Sequence, residues 1–504
     1  MSELFLGIDS GTQGTKVVIL DSEKKAIVAE GYASHRLIES NDGTREQDPQ
    51  WWIDATGHAI RMALSNVRAD DLRAIGVSGQ QHGMVPLDVS GNVLRPAKLW
   101  CDTATTKQSD ALTERLGGKE AVIELIGNSV AVGFTASKIV WLKENEPDHY
   151  ERLRTILLPH DYINYWLTGE RTAEFGDASG TAYFDVRTRT WARRVLEAID
   201  SSGKLLMCVP RMIQPNEWVG TVRAELAARF GIPRRVVVSS GGGDNMMAAI
   251  GTGNVRPGVV TASLGTSGTV YAFSRQPIID TQGELAAFCS SDGNWLPLAC
   301  TMNVTVATET IRELLGLDIA NLNAKAAAAP VGSNGILMLP YFNGERTPAL
   351  PQARATLHGL TGTNFTPENL SRAAMEGATF GMRFALDVLR RNGIQPTEIR
   401  LVGGGARSPL WRQIVANVFG YPVVCPISTE AGALGAAVQA MWCYSAHQRN
   451  PVSLTALTDD YVRLDETTRV EPNPGAMQNY SDLYSRYMRL DESLRPLNTS
   501  EGTD

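Results

Sequence analysis

The sequence predicts an α/β protein in which one fold is used twice, as two domains facing a common cleft. Three observations carry this expectation. The chain has 504 residues, more than one hydrophobic core organises, so at least two domains are expected. Strand-like runs rich in β-branched residues alternate with helix-like stretches in both halves. The segment Ile8-Asp9-Ser10-Gly11-Thr12-Gln13-Gly14-Thr15, followed by the apolar run Val17-Val18-Ile19-Leu20, returns half a chain later. The second version is Ala262-Ser263-Leu264-Gly265-Thr266-Ser267-Gly268-Thr269, followed by Val270-Tyr271-Ala272-Phe273.

Both copies carry G-T-x-G-T between strand-like runs, the pattern of a β-hairpin with a Gly/Thr-rich turn. Glycines there bare backbone N–H groups and threonines add hydroxyls, so each turn is suited to hold part of a phosphate chain. The candidates are Gly11, Thr12 and Gln13 in the first turn, and Gly265, Thr266 and Ser267, with Gly268, in the second. The copies differ where Asp9 aligns with Ser263. A carboxylate beside a phosphate turn makes sense when a divalent cation stands between them, so Asp9 is the candidate organiser of Mg²⁺, through waters. A turn-stabilising Asx role is the competing reading.

Between and after the hairpins, residues 72–77 read as a strand, and 136–144 and 162–167 as helices. A long helix is expected over 367–391, with Phe380, Phe384 and Val388 on one face and a stop at Asn392-Gly393. A strand at 399–402 follows. Residues 445–474 have loop character, 480–494 read as a last amphipathic helix, and the tail from about 498 reads as disordered. The expected domains are residues 1–247 and 248–504.

A formal net charge of −7 gives no electrostatic reason to expect nucleic acid or an anionic membrane as partner. Any phosphate must then be met by local backbone donors or a metal. The six cysteines are scattered without a CxxC pair or zinc-ligand spacing, which suits free thiols in a reducing compartment. The first residues lack the charged and apolar regions of a signal peptide, and no uncharged apolar run is long enough to span a bilayer. A cytoplasmic protein is expected.

The stretch VVVSSGGGDNMMAAIG, residues 236–251, poses the chemical question. A β-branched run feeds into Gly241, Gly242 and Gly243 and then into Asp244, an acid where an anion cradle would want none. A helix cap is the plain reading of Asp244, since Asp is favoured there.

The sequence resembles the FGGY family of carbohydrate kinases over nearly its whole length. Gly133-Phe-Thr135-Ala-Ser-Lys138-Ile139-Val-Trp141-Leu142-Lys-Glu144-Asn145 matches the first signature of that family. Ala355-Thr-Leu357-His-Gly359-Leu360, Asn369-Leu370 and Ala373-Ala-Met-Glu376 match the second. The resemblance implies two duplicated actin-like, ribonuclease H-like ATPase domains around a central cleft. Three stretches narrow it to members acting on D-xylulose: Glu46-Gln47-Asp48-Pro49 with Trp51-Trp52, Ser78-Gly79-Gln80-Gln81-His82-Gly83, and Leu99-Trp100-Cys101-Asp102.

The activity implied is ATP-dependent phosphorylation of the terminal (5-) hydroxyl of D-xylulose, with Mg²⁺. Ribulose, L-xylulose or a related polyol are the near alternatives, and an actin- or chaperone-like ATPase without a sugar substrate is the rival from another class. Phosphoryl transfer needs alignment, neutralised charge and a base for the alcohol proton. Asp244, the acid of the family's Gly-Gly-Asp stretch, is the expected base, with the glycines keeping the backbone bare for sugar and γ-phosphate. Gln81, His82, Asp102 and Asp244 are the expected sugar contacts. Gly404, Gly405, Ala406 and Ser408, with Gln413 or Asn417 touching the base, are expected at the adenosine end. The small residues 433–437 are read as helix packing. A pentulose and ATP are the expected partners, with no nucleic acid or membrane, and a homodimer is compatible with this.

Overall fold

Period-two alternation in the first strand builds the first sheet. In the computed structural model, which describes residues 2–449 and 451–499, β1 (Leu4–Ser10) sends Leu4, Leu6 and Ile8 into one apolar layer and Phe5 into another. Antiparallel β2 (Gly14–Asp21) and β3 (Ala26–Ser34) follow, and β4 (Leu72–Gly79) runs parallel to β1 on its other side. With β5 (Trp218–Thr221) and β6 (Val237–Ser239), the strand order is β5-β6-β4-β1-β2-β3. The two-residue β7 (Gly242–Gly243) continues along the end of β4, pairing with Ser78 and Gly79.

Helix Pro49–Leu64 covers the Leu6 layer with Trp52 and Ile60. Helices Asp244–Gly251 and Ala431–Ala446 cover the Phe5 layer with Met247, Ile250, Ala433 and Ala437. The second of these lies hard against the sheet. A β-carbon on Gly7 would stand 1.9 Å from the Ala433 carbonyl oxygen, and one on Gly76 would stand 2.0 Å from that of Ala436. The small residues 433–437 thus serve packing. This unit gathers residues up to Arg256, Ser274–Leu296 and Glu430–Val462, so it is not contiguous in sequence as a division at 247/248 would be.

The second unit gathers Pro257–Phe273, Pro297–Thr429 and the residues from Arg463 onward. Its strands are β8 (Val259–Leu264), β9 (Gly268–Ala272), β10 (Trp295–Thr301), β11 (Glu398–Val402), β12 (Val423–Pro426) and β13 (Leu464–Val470), ordered β10-β9-β8-β11-β12-β13. β8 pairs antiparallel with β9 and parallel with β11, as β1 does with β2 and β4. The order and polarity of the six strands β5-β6-β4-β1-β2-β3 repeat in these six, so the duplication seen in two hairpins extends through both sheets.

Helix Pro367–Arg391 has the expected bounds and buries Phe380, Phe384 and Val388. Thr366 caps it by accepting from the Asn369 N–H at 3.3 Å, and Pro367 occupies the first turn, where its missing donor costs nothing. Residues 445–474 are not a loop. They hold helix Leu454–Tyr461 and strand β13, both short and carrying many polar residues, which hid their periodicity. The last helix is Pro474–Thr499, longer than expected, and residues 500–504 of the tail lie outside the described residues. Among the described residues, no helix is long and apolar enough to cross a membrane.

Candidate active site

Asp244 is placed by a sharp change of direction. β6 ends at Ser239, Gly241 takes φ +72°, and Gly242–Gly243 ride along β4 before the helix starts. Gly243 is the capping position, so Asp244 stands in the first helical turn and is not the cap. Its Oδ1 accepts from the Asn245 N–H at 2.7 Å and from Asn245 Nδ2 at 2.9 Å. Asn245 Nδ2 also donates to Gln81 Oε1 at 2.8 Å, which joins the acid to the predicted sugar contacts. Asn245 was missed because one short polar side chain in sequence gives no hint of a bond to a residue 164 positions away.

The glycines before Asp244 do a different job from the one expected. The space a β-carbon would take is filled by the protein: the Val77 carbonyl at Gly241, Ser291 at Gly242 and the Gln81 side chain at Gly243. They therefore let Gln81 and Ser291 close in on the loop. Burial, then repulsion from Asp9, push the Asp244 carboxyl up to about 7.

Asp9 lies on the same face of β1 as Phe5 and Gly7. Its Oδ1 accepts from the Ser78 hydroxyl at 2.6 Å, and Gly432 keeps room for it, since a β-carbon there would stand 2.6 Å from Oδ2. Burial raises the Asp9 carboxyl; the Ser78 hydrogen bond opposes this, Glu430 adds to it, and Lys16, paired with Glu430 at 2.5 Å, opposes it. Asp9 raises Asp244 and is itself raised by Glu430, an environment a cation would relieve. Among the described residues, no three His, Cys, Asp or Glu side chains gather as direct ligands. The donor set therefore fits a hydrated Mg²⁺ held by one carboxylate better than a caged metal.

Both hairpin turns face their carbonyls inward. In the first, Gly11 O bonds His35 Nδ1 at 3.0 Å, Thr12 O accepts from Gln47 Nε2 at 2.8 Å, and Gln13 O accepts from the His35 N–H at 2.8 Å. Burial lowers His35 to about 4, so the ring is neutral; a carbonyl only accepts, so Nδ1 carries the proton. In the second, Gly265 O accepts from the Thr305 N–H at 2.9 Å and Thr266 O from the Val304 N–H at 3.1 Å. Across a trans peptide the N–H points opposite the C=O. The amides of Thr12 and Gln13, and of Thr266 and Ser267, consequently face outward, which is the arrangement an anion needs. The Thr12 hydroxyl is already engaged, donating to Gln80 Oε1 and accepting from Trp100 Nε1, both at 3.1 Å, whereas Gln13 and Thr266 are exposed.

The sugar candidates divide. Gln81 is buried and its Nε2 has no hydrogen-bond partner, a donor that wants an acceptor. His82 is buried with its ring beside Phe134 and Phe288. Asp102 is fully buried and accepts from the Arg45 N–H at 2.9 Å, Lys98 Nζ at 3.1 Å and the Ala104 N–H at 3.2 Å. It braces its loop through these donors, a role that the motif Leu99–Asp102 did not disclose.

At the predicted adenosine end only Gly404 meets open space. A β-carbon on Gly403 would strike the Leu264 backbone at 2.7 Å, and one on Gly405 would stand 2.8 Å from the Leu264 β-carbon. Ala406 is buried. Ser408 caps helix Pro409–Phe419 by accepting from the Trp411 N–H at 3.2 Å and also bonds Asn323. Gln413 Nε2 donates to Asn417 Oδ1 at 3.1 Å and to Glu471 O at 2.9 Å, while Asn417 Oδ1 accepts from the Asn473 N–H at 2.8 Å. Those two side chains fasten the segment after β13, where an adenine contact had been expected.

Two sheets of one topology, each with an outward-facing amide turn, and a carboxylate of raised pKa beside polar side chains define a phosphotransferase of the duplicated ATPase fold. Residues 4–251 match the N-terminal domain of the FGGY family of carbohydrate kinases and residues 260–444 its C-terminal domain. The chain belongs to that family. It is similar to a xylulose kinase of Haemophilus influenzae, with 46% identity over 96% of this chain and 99% of the relative. A xylulose kinase of Streptomyces coelicolor is 40% identical over 87% of each chain. The crystal structure of a kinase from Brucella ovis, described as a xyloylose kinase, superposes with a TM-score of 0.90 at 31% identity, covering 98% of this chain and 100% of the other.

Proposed function

We propose that this protein transfers the γ-phosphoryl group of ATP to the terminal (5-) hydroxyl of D-xylulose. The observation that carries the reading is Asp244, a carboxylate raised to about 7 and linked through Asn245 to Gln81, whose Nε2 is buried and unmatched. A base works best with a pKa near the operating pH. Asp244 takes the proton from the sugar hydroxyl as that oxygen bonds to the γ-phosphorus and the bond to ADP breaks. Gln81 Nε2 and the His82 ring orient the sugar, since fixed polar groups reject a sugar that leaves them unpaired. The outward amides of the two turns, in Gly11–Gln13 and Gly265–Ser267, receive phosphate oxygens, and the open side of Gly404 with Ser408 supports the adenosine end. Asp9 is the residue that would hold a hydrated Mg²⁺, which supplies charge neutralisation to the phosphates. Both substrates are water-soluble metabolites, which suits a cytoplasmic enzyme without nucleic acid or membrane partners; a homodimer is compatible with this.

The test is a coupled ADP-release assay with Mg-ATP against pentuloses, hexuloses, gluconate and glycerol. A response led by D-xylulose supports the reading, and ATP hydrolysis indifferent to any sugar overturns it. The pH dependence has a definite sign. Protonated Asp244 cannot accept, so kcat/KM rises through about pH 7 and levels off above it. A flat profile between pH 5 and 8 would remove Asp244 as the base. Asp9→Asn is expected to raise the Mg²⁺ concentration for half-maximal rate by about tenfold or more, while the KM for the sugar changes little. An unaltered Mg²⁺ titration would show that Asp9 does not hold the ion.

A further inference from the structure

His82 sits in a backbone conformation that ordinary chain geometry avoids. Its φ is +63°, and the Gly83 N–H donates across it to Gln81 O at 2.9 Å. A positive φ under an i to i+2 hydrogen bond is a γ-turn of the rare, strained kind. Such a residue persists only where its surroundings over-determine it.

Three neighbours do so. Lys138, fully buried on helix Thr135–Asn145, donates its Nζ to His82 O at 3.1 Å, to Phe134 O at 3.3 Å and to Gly133 O. The Thr135 hydroxyl donates to the same His82 carbonyl at 3.2 Å. A buried ammonium is costly unless its charge is met, and here backbone carbonyls, His82 O among them, meet it. Gly180 then leaves room for the ring. The three atoms nearest to a β-carbon built on it all belong to the His82 imidazole, at 2.0, 2.1 and 3.2 Å. Gly180 is not in the left-handed region, so its missing side chain answers to this contact and not to its own backbone. The ring also neighbours Phe134 and Phe288, with centroids 4.6 and 5.6 Å away.

We infer that Lys138, Thr135 and Gly180 are positioning residues for sugar recognition: they hold His82 at the apex of its γ-turn with the imidazole in one orientation. The inference rests on the reading of His82 as a sugar contact. Neither Lys138 nor Gly180 touches substrate in this scheme; both act through His82.

The experiment is a double-mutant cycle read as KM for the acceptor sugar, KM for ATP and kcat, in wild type, His82→Ala, Gly180→Ala and the double variant, with Lys138→Met as a second probe. Gly180→Ala is expected to raise the sugar KM by about tenfold or more, the scale of one lost directional hydrogen bond, and to leave the ATP KM within about twofold of wild type. In the His82→Ala background the same change should have almost no further effect, because the ring it displaces is gone. Lys138→Met should likewise raise the sugar KM. Should Lys138→Met fail to fold, the Gly180 cycle alone decides.

A raised sugar KM in His82→Ala with an additive Gly180→Ala effect, or with no effect of Gly180→Ala, overturns the inference and leaves the sugar reading standing. An unchanged sugar KM in His82→Ala overturns both.

Discussion

Asp244→Asn is expected to lower kcat by about 10²–10⁴-fold while the sugar KM stays near its wild-type value, since a positioned base acts in the transition state more than in binding. The asparagine keeps the shape and an acceptor for the Asn245 donors but cannot take a proton. The coupled ADP-release assay measures this directly, and a variant retaining a tenth of wild-type turnover would assign the proton to another group. The same substitution should stabilise the protein in alkaline buffer. Burial and Asp9 raise the folded pKa to about 7 from an ordinary 3.8, so the stability contributed by this carboxyl is present below about pH 4 and lost as the pH climbs through 7. At pH 8 the ionised side chain is a burden that Asn lacks. Melting curves should show Asp244→Asn above wild type at pH 8, with the gap shrinking toward pH 5. Activity and stability would then be opposed at one atom pair.

Gly435→Ala is expected to damage the fold outright. A β-carbon there would stand 1.8 Å from the Met247 carbonyl and 2.8 Å from the Gly251 N, both backbone atoms of the helix that carries Asp244. Neither atom can turn aside as a side chain would, so helix Ala431–Ala446 must lift off its neighbour. Overpacking of this kind costs about 1–3 kcal/mol, and a backbone collision belongs at the upper end or above. Urea unfolding at constant m-value would report the loss. Wild-type stability in this variant would mean that the two helices pass further apart than described.

Much of the molecule was legible in its sequence where local chemistry decides local structure. The Gly/Thr turns gave both hairpins, and Pro367 and Asn392-Gly393 bracketed the long helix, because caps and turn residues act within a few positions. Asp9, Asp244, Gln81 and His82 were singled out by motif and resemblance, and the structure places Gln81 within one side chain, Asn245, of Asp244. What stayed hidden depends on partners far along the chain. Asn245 matters through Gln81, Asp102 is spent on Lys98 and Arg45, and Gln413 and Asn417 are drawn away by Glu471 and Asn473. The glycines of 241–243 were read as room for a ligand, and no sequence pattern distinguishes that from room for Gln81 and Ser291. Strand β13 escaped because its LDETTRV pattern is mostly polar, and such a strand lacks the apolar alternation that marks a half-buried one.

The place of helix Ala431–Ala446 in the first unit has a consequence for how the chain is made. Gly7 and Gly76 leave the ribosome early, yet the carbonyls of Ala433 and Ala436 that occupy the space above them arrive much later. At about 5–20 residues per second, the roughly 190 residues between Arg256 and Ala446 take roughly 10–40 s to appear. For that interval the nascent first sheet has one apolar face incompletely roofed, although its strands are complete. A truncated message ending near residue 256 would yield a polypeptide with every strand of that sheet but without helix Ala431–Ala446, one of the two that cover this face. Such a product would lack the backbone that fills the space beside Gly7 and Gly76.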